Sequence, residues 1–244
     1  MYLQAGMRTL LSKRGQDSGF LDGGAADPAI PQDGRKAGSN RAMAPARITS
    51  PLPVTRRYRW LLTSCLQDYC EHMVSIRAAT QHDAVEISHV HVLSWRTTYA
   101  GIVPDEYLAA LNEAERVPLW REWLTRDVQV YIADLDGKVI GFISGGPIRE
   151  PVQNYDAELF AIYLLQPAQR HGIGTALLRE LAGSLISKGF TSMAVWVLER
   201  NPSRHFYVKS GAQLVTSKEI EIGGAMLSEV AYGWPVLEAI RSPK

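Results

Sequence analysis

The sequence predicts an α/β protein built on a single central sheet, mixed and mostly antiparallel, with helices flanking it, and three observations lead there. From residue 73 onward strand-like and helix-like stretches interleave, the pattern of one sheet with helices packed on it. VQVYIADLDGKVIGFISGG reads as two β-rich runs joined by Asp136-Gly137, a favoured two-residue hairpin turn. ELFAIYLL is apolar on both faces, as a central strand covered on both sides must be.

The elements follow in chain order. VSIRAA opens the sheet, and Thr80 with Asp83 forms a helix N-cap arrangement. The helix behind it carries Val85, Ile87, Val90, Val92 and Leu93 and is expected to run to about Trp95. PDEYLAAL starts a second helix, with Pro104 at its first position and acids in its first turn. ERVPLWREWL is a third, which Pro118 interrupts or begins. After the hairpin, a polar loop from Pro147 to Asp156 leads into ELFAIYLL. QRHGIGTALLRELAGSLISKGF makes a helix from its glycines to Lys188-Gly189, where Gly189 takes the left-handed cap. TSMAVWVLE is another strand, NPSRHFYVKSG a short helix closed by Gly211, and QLVTSKEIEIGGAMLSEVAYGW a hairpin turning at Gly223-Gly224.

Composition bounds the function. The 244 residues are 46% hydrophobic with a net charge of +1, enough for a sizeable core and without the basic excess of a nucleic-acid partner. No apolar run reaches the roughly 20 residues of a bilayer span, so no membrane partner is expected. Cys65 and Cys70 lie in one short stretch, which fits a reduced, cytoplasmic protein without structural disulfides. Residues 1–72 carry +4 and residues 73–244 carry −3. The N-terminal extension, 1–72, lacks a sustained period and is expected to be disordered over most of its length. YRWLLTSCLQDYC is the stretch there with the pattern of a short amphipathic helix. Three origins stay open for the 1–72 extension: a targeting segment, against which Asp17, Asp22, Asp27 and Asp33 count; a flexible regulatory tail; or sequence upstream of a functional start at Met73. The last is favoured, because MVSIRAAT opens directly into a strand pattern.

Chemistry concentrates at QRHGIG, residues 169–174. Gly172 and Gly174 let a ligand approach main-chain N–H groups, and the unpartnered amides and dipole of a helix start favour an anion, so a phosphate is the first ligand to consider. A P-loop is excluded because no Gly-Lys-Ser/Thr follows, and a Rossmann site because Leu177 stands at the third glycine position. A turn that needs glycine for geometry alone remains the plain alternative.

Gln169-Arg170-His171-Gly172-Ile173-Gly174 matches the Q/R-x-x-G-x-G/A signature of the GNAT superfamily of N-acetyltransferases. NPSRHFY, residues 201–207, followed by VKSGA, resembles that family's N-x-x-x-x-F-Y-x-x-x-G-F element. The resemblance covers Val74 to about Trp234 and departs at Ala212, where the family usually has an aromatic, and at Pro167, one place later than its usual proline.

The resemblance implies acetyl-CoA as co-substrate and a primary amine as acceptor, attacking directly in a ternary complex. The pyrophosphate is expected over the N–H groups of Gln169, Arg170, His171, Gly172, Ile173, Gly174 and Thr175, and the pantetheine along backbone freed at Tyr163, Leu164 and Leu165, like an added strand. Glu158, an acid in an apolar strand 14 residues before Gly172, is the candidate base, with pairing to an arginine the plain alternative. Tyr207 is the candidate acid for the leaving thiolate, and Asn201 caps its helix and touches the cofactor. Trp95 and Tyr99, four apart on one helix face, are acceptor-side candidates, with core packing the alternative. No cysteine lies in 73–244, which argues against an acyl-cysteine intermediate, and the histidines show no metal-site spacing. A small-molecule amine is the expected acceptor. The alternatives are a non-catalytic CoA-binding sensor or scaffold and a protein N-terminal or lysine acetyltransferase; a homodimer is left open.

Overall fold

The computed structural model describes residues 57–59 and 73–241. Its sheet has eight strands, β1 (Arg57–Arg59), β2 (Met73–Ala78), β3 (Gln129–Leu135), β4 (Lys138–Pro147), β5 (Ala157–Leu164), β6 (Met193–Leu198), β7 (Gln213–Ile222) and β8 (Ala225–Trp234). They run in the order β1-β2-β3-β4-β5-β6-β8-β7. All neighbours are antiparallel except β5 and β6. The expected sheet is therefore present. Most of the 1–72 extension lies outside the described residues, but β1 pairs along β2 upstream of Met73. Tyr58 and Arg59, the start of the stretch expected to be helical, are strand; the rest of that stretch is not among the described residues.

The helices are α1 (Ala84–Thr98), α2 (Asp105–Ala109), α3 (Glu113–Trp123), α4 (Ile173–Ser187), α5 (Arg204–Lys209) and α6 (Glu238–Arg241). Local chemistry explains the boundaries. Asp83 Oδ2 accepts from Thr80 N at 2.7 Å ahead of α1, the acidic half of a capping box. Asp136 and Gly137 both take positive φ, 51° and 85°, as a two-residue hairpin with right-handed strand twist requires. Three expectations need correction. Helix α1 continues past Trp95 to Thr98. Pro104 is the N-cap of α2, not its first residue. Pro118 sits inside α3 without breaking it, because Trp120 and Trp123 in the following turn are buried, packing against Phe142 and Phe160 with ring centroids 5.0 Å and 5.6 Å apart. That tertiary burial outweighs the missing backbone donor.

Two cores lie on opposite faces of the sheet. On one, Leu177, Leu178, Leu181 and Leu185 of α4 are fully buried against Ile143, Leu159, Val195, Val197 and Val230. On the other, α1, α2 and α3 bring Trp95, Leu108 and Trp120 onto Ile132, Phe142, Phe160 and Tyr163. Each nonpolar side chain buried this way contributes about 1.5–3 kcal/mol. On this second face the β7–β8 tip reaches α2: an added Cβ on Gly223 would lie 2.8 Å from Tyr107 Cβ.

Candidate active site

Strands β5 and β6 pair only where they begin, Ala157–Leu159 with Met193–Val195. Beyond that point they part, and β5 is also irregular: its register to β4 shifts between Ser144 and Gly145, so that Phe160 has no partner across the ladder. A bulge of this kind bends a strand away from its neighbour. The opening is a cavity of about 450 Å³. Its β5 wall is Phe160, Ala161, Ile162, Tyr163 and Leu164, and its β6 wall Val195, Trp196 and Val197.

The mouth is formed by the turn before α4. Arg170 and Gly172 stand at positive φ, 64° and 79°, and Gly172 is the N-cap of α4 with no side chain capping the helix. The first amides of α4 therefore have no intrahelical partner. Gly174 leaves room that a side chain would fill: its Cβ would approach Leu164 Cδ1 at 3.3 Å and Phe206 at 3.6 Å. Arg170, His205 and Lys209 line the cavity, and no acid is among its described lining residues. An uncapped helix start beside basic side chains and without acids suits a polyphosphate.

At the inner end the aromatic hydroxyls gather. Tyr99 Oη lies 3.4 Å from Tyr163 Oη, and Asn201 Nδ2 donates to Tyr99 Oη at 3.5 Å. Asn201 Oδ1 accepts from Ser203 N at 2.8 Å. Burial raises the pKa of Tyr99, Tyr163 and Tyr207 above the usual phenol value, and Tyr99 adds to the rise at Tyr163 and Tyr207. All three stay protonated at neutral pH.

A family model for the acetyltransferase (GNAT) family matches residues 91–212. The chain is 46% identical over 170 residues to an uncharacterized N-acetyltransferase, YuaI, of Bacillus subtilis, spanning 70% of this chain and 98% of that protein. The chain belongs to the acetyltransferase (GNAT) family. It is also similar to a probable N-acetyltransferase, Rv2775, of Mycobacterium tuberculosis, at 29% identity with 70% and 90% covered. Among solved structures it resembles the PaiA N-acetyltransferase of Thermoplasma acidophilum in complex with coenzyme A, at 26% identity and a TM-score of 0.50, covering 64% of this chain and 97% of that one. The family's enzymes take acetyl-CoA as co-substrate, so this GNAT protein is an N-acetyltransferase that uses acetyl-CoA.

Within the GNAT frame the sequence-chosen residues divide. Tyr163, Leu164, Gln169, Arg170, Gly172, Gly174, Thr175, Asn201, Tyr207 and Tyr99 all line the cavity. Gln169 lines it with its amide committed, donating to Leu164 O at 3.1 Å. Leu165, His171 and Ile173 are not on its wall; Ile173 is 4% exposed in the core beneath α4, and Leu165 N donates to Ile140 O. Trp95 is core, 1% exposed, its ring centroid 4.6 Å from that of Tyr99. Glu158 is 2% exposed and lies off the cavity wall. Arg149 holds it by Nη2 to Oε1 at 2.6 Å and by Nε and the backbone N–H to Oε2 at 3.2 Å.

Sequence reasoning passed over Thr98, Phe160, Trp196, His205 and Phe206, which line the cavity, and Glu229, which is fully buried on β8. His205 and Phe206 lie inside the NPSRHFY motif and could have been taken with it. Glu229 shows the signal that picked out Glu158, an acid bordering an apolar run, SEVAYGW.

Proposed function

We propose that this GNAT enzyme transfers the acetyl group of acetyl-CoA to a primary amine of a small molecule by direct attack in a ternary complex. The observation that carries the reading is the parting of β5 from β6, which leaves a gap through the sheet at Phe160 and Trp196. On the α4 side the gap leads to the uncapped amides at Gly172, and the proposed donor lies there, its diphosphate over the turn and its amides along β5 like an added strand. The acceptor then approaches from the face covered by α1, α2 and α3.

That second face supports a small acceptor. Arg200 Nη2 donates to Gly101 O at 3.1 Å, tying the segment after β6 to the α1–α2 turn. The β7–β8 tip buries Ile222 against the same cluster, and Gly223 meets Tyr107. Together they cover the acceptor face where a long peptide groove would have to run.

In this reading Tyr207 gives its proton to the departing thiolate. Burial keeps its phenol protonated while the donor binds, so the O–H is in place to hydrogen-bond the sulfur as the C–S bond breaks and to pass its proton on while the acylated nitrogen supplies another. Asn201 fixes the turn before α5 and orients Tyr99 towards Tyr163. Glu158, the base candidate of the sequence, is instead engaged at both oxygens by Arg149, an ion pair that any proton uptake would have to break. Thiol release from acetyl-CoA across a panel of small amines, amino acids, polyamines and lysine peptides tests the reading. Turnover with small amines and none with peptides is expected. Tight acetyl-CoA binding with no turnover for any amine would replace it with a sensor or scaffold.

A further inference from the structure

The acceptor face carries a charge cluster that the donor cavity does not use. Glu158 comes from β5, Lys218 from β7, Glu229 from β8, and Arg149 and Glu150 from the loop between β4 and β5. Two pairs are made: Arg149 Nη2 with Glu158 Oε1 at 2.6 Å and Lys218 Nζ with Glu150 Oε2 at 2.6 Å. The guanidinium of Arg149 lies 4.0 Å over the Phe160 ring and the Lys218 ammonium 4.2 Å over the Trp196 ring. Both rings also line the donor cavity, so the cluster sits on the acceptor side of the gap.

Glu229 is left over. It is fully buried, and neither of its carboxylate oxygens has a hydrogen-bond partner. Its register neighbours are Leu198 on β6 and Lys218 on β7, and Lys218, the cation across from it, makes its short bond to Glu150 instead. Two residues along β8, Ala231 packs with Ala194 and Trp196 under Val152, so the loop that carries Arg149 and Glu150 lies across this part of the sheet. A buried carboxylate without a donor is strongly disfavoured, and such a group calls for an explanation. Among the members of the cluster, three carboxylates face two cations; one positive charge would complete the set.

We propose that Glu229 is the group that receives the acceptor's ammonium and takes its proton. This deepens the acetyltransferase reading and rests on it. Burial is the main cause that raises the pKa of Glu229, Lys218 opposes it and Glu150 and Glu158 add to it, and together they bring it to about 7. A base poised there is matched to neutral pH. The charged and titratable groups that face it are Lys218 on β7, Glu158 on β5, Glu150 on the loop and Tyr99 at the end of α1, whose pKa Glu229 helps to raise. In the step, an N–H bond of the ammonium breaks and Glu229 gains the proton. The freed nitrogen lone pair forms the C–N bond to the acetyl carbon as the C–S bond breaks. Tyr207 gives its proton to the thiolate and regains one from the nitrogen, and Glu229 returns its own to water, so one proton leaves per turnover. Glu158, held by Arg149, positions the loop over this site.

The test uses the full chain and Glu229→Gln, which keeps the side chain's size and removes its charge. Infrared spectra of wild type should show a protonated carboxyl band that titrates near neutral pH and is missing from the variant. With coenzyme A bound, n-butylamine should abolish the band by drawing out the ionised form. For whichever amine of the panel turns over, the variant should lose about 10²-fold in kcat/KM for the amine and the pH dependence near neutrality, with KM for acetyl-CoA changed less than about twofold. Retained coenzyme A binding shows that it folds, and Glu229→Asp should recover part of the rate. An unchanged amine kcat/KM and pH profile in Glu229→Gln, with Glu158→Gln losing them instead, overturns the proposal. If no amine turns over although acetyl-CoA binds, the transferase reading fails. The infrared arm still decides: a band indifferent to n-butylamine overturns the assignment to Glu229.

Discussion

Tyr207 is held by its ring and left to act by its hydroxyl. The ring packs near Phe206, Tyr232 and Trp234, with centroids 5.6, 6.4 and 6.0 Å away, so Tyr207→Phe keeps this packing. Steady-state thiol release should show kcat reduced by about 10–10²-fold with acetyl-CoA affinity unchanged. Glu229 makes a prediction about stability that needs no substrate. Its folded pKa, about 7, lies above the ordinary 4.5. Between those values the native state holds a proton that the unfolded chain has lost, so its contribution is complete below about pH 4.5 and disappears as pH rises through about 7, a span of about 3 kcal/mol. Urea unfolding of wild type and Glu229→Gln across that window should show the wild type losing stability relative to the variant; parallel curves would sink the idea. At this scale the sequence was legible where a motif names the residue, as at Asn201 and Tyr207, and ambiguous where only a residue type did. Glu158 and Glu229 look alike as letters. They differ in that Arg149, nine residues upstream, folds back onto Glu158, whereas no donor reaches the oxygens of Glu229, and neither outcome is encoded by the strand pattern.

The turn into α4 does its work through backbone. Gly174→Val puts branched carbons where the Cβ alone already comes within 3.3 Å of Leu164 and 3.6 Å of Phe206. Calorimetry should find acetyl-CoA binding weakened at least about tenfold while circular dichroism is unchanged, because Gly174 is the second residue of α4 and a β-branched residue in a helix's first turn costs it well under about 1 kcal/mol. Elements whose ends are set by nearby side chains were legible: the Asp136-Gly137 hairpin, the Thr80–Asp83 box and the Gly189 stop. Those set by remote packing were not. Helix α3 ignores Pro118 for the sake of two buried tryptophans, and α6, only Glu238–Arg241, is held by Ile240 in the core beneath α4 and is too short to show a period.

Across the whole molecule, the antiparallel order of β3, β4 and β5 could be anticipated from the short connections between them, but the pairing of β2 with β3 across three intervening helices and the single parallel pair could not. That β5 and β6 separate after Leu159 and Val195 is a decision about pairing at long range. Strand β1 adds three residues at the edge of the sheet beside β2, far from the cavity. A chain beginning at Met73 is therefore expected to keep its far-ultraviolet spectrum and to bind acetyl-CoA within about twofold of the full chain, since a three-residue edge strand adds little to a sheet of this size; aggregation or lost binding would assign the upstream residues a structural role. The gap also has a consequence for inhibitors. A rigid compound entering from either flank can occupy just one half of the passage, whereas a nucleotide tethered to an alkylamine by a thin, acetyl-length link could thread it, and such a conjugate should outcompete both of its halves.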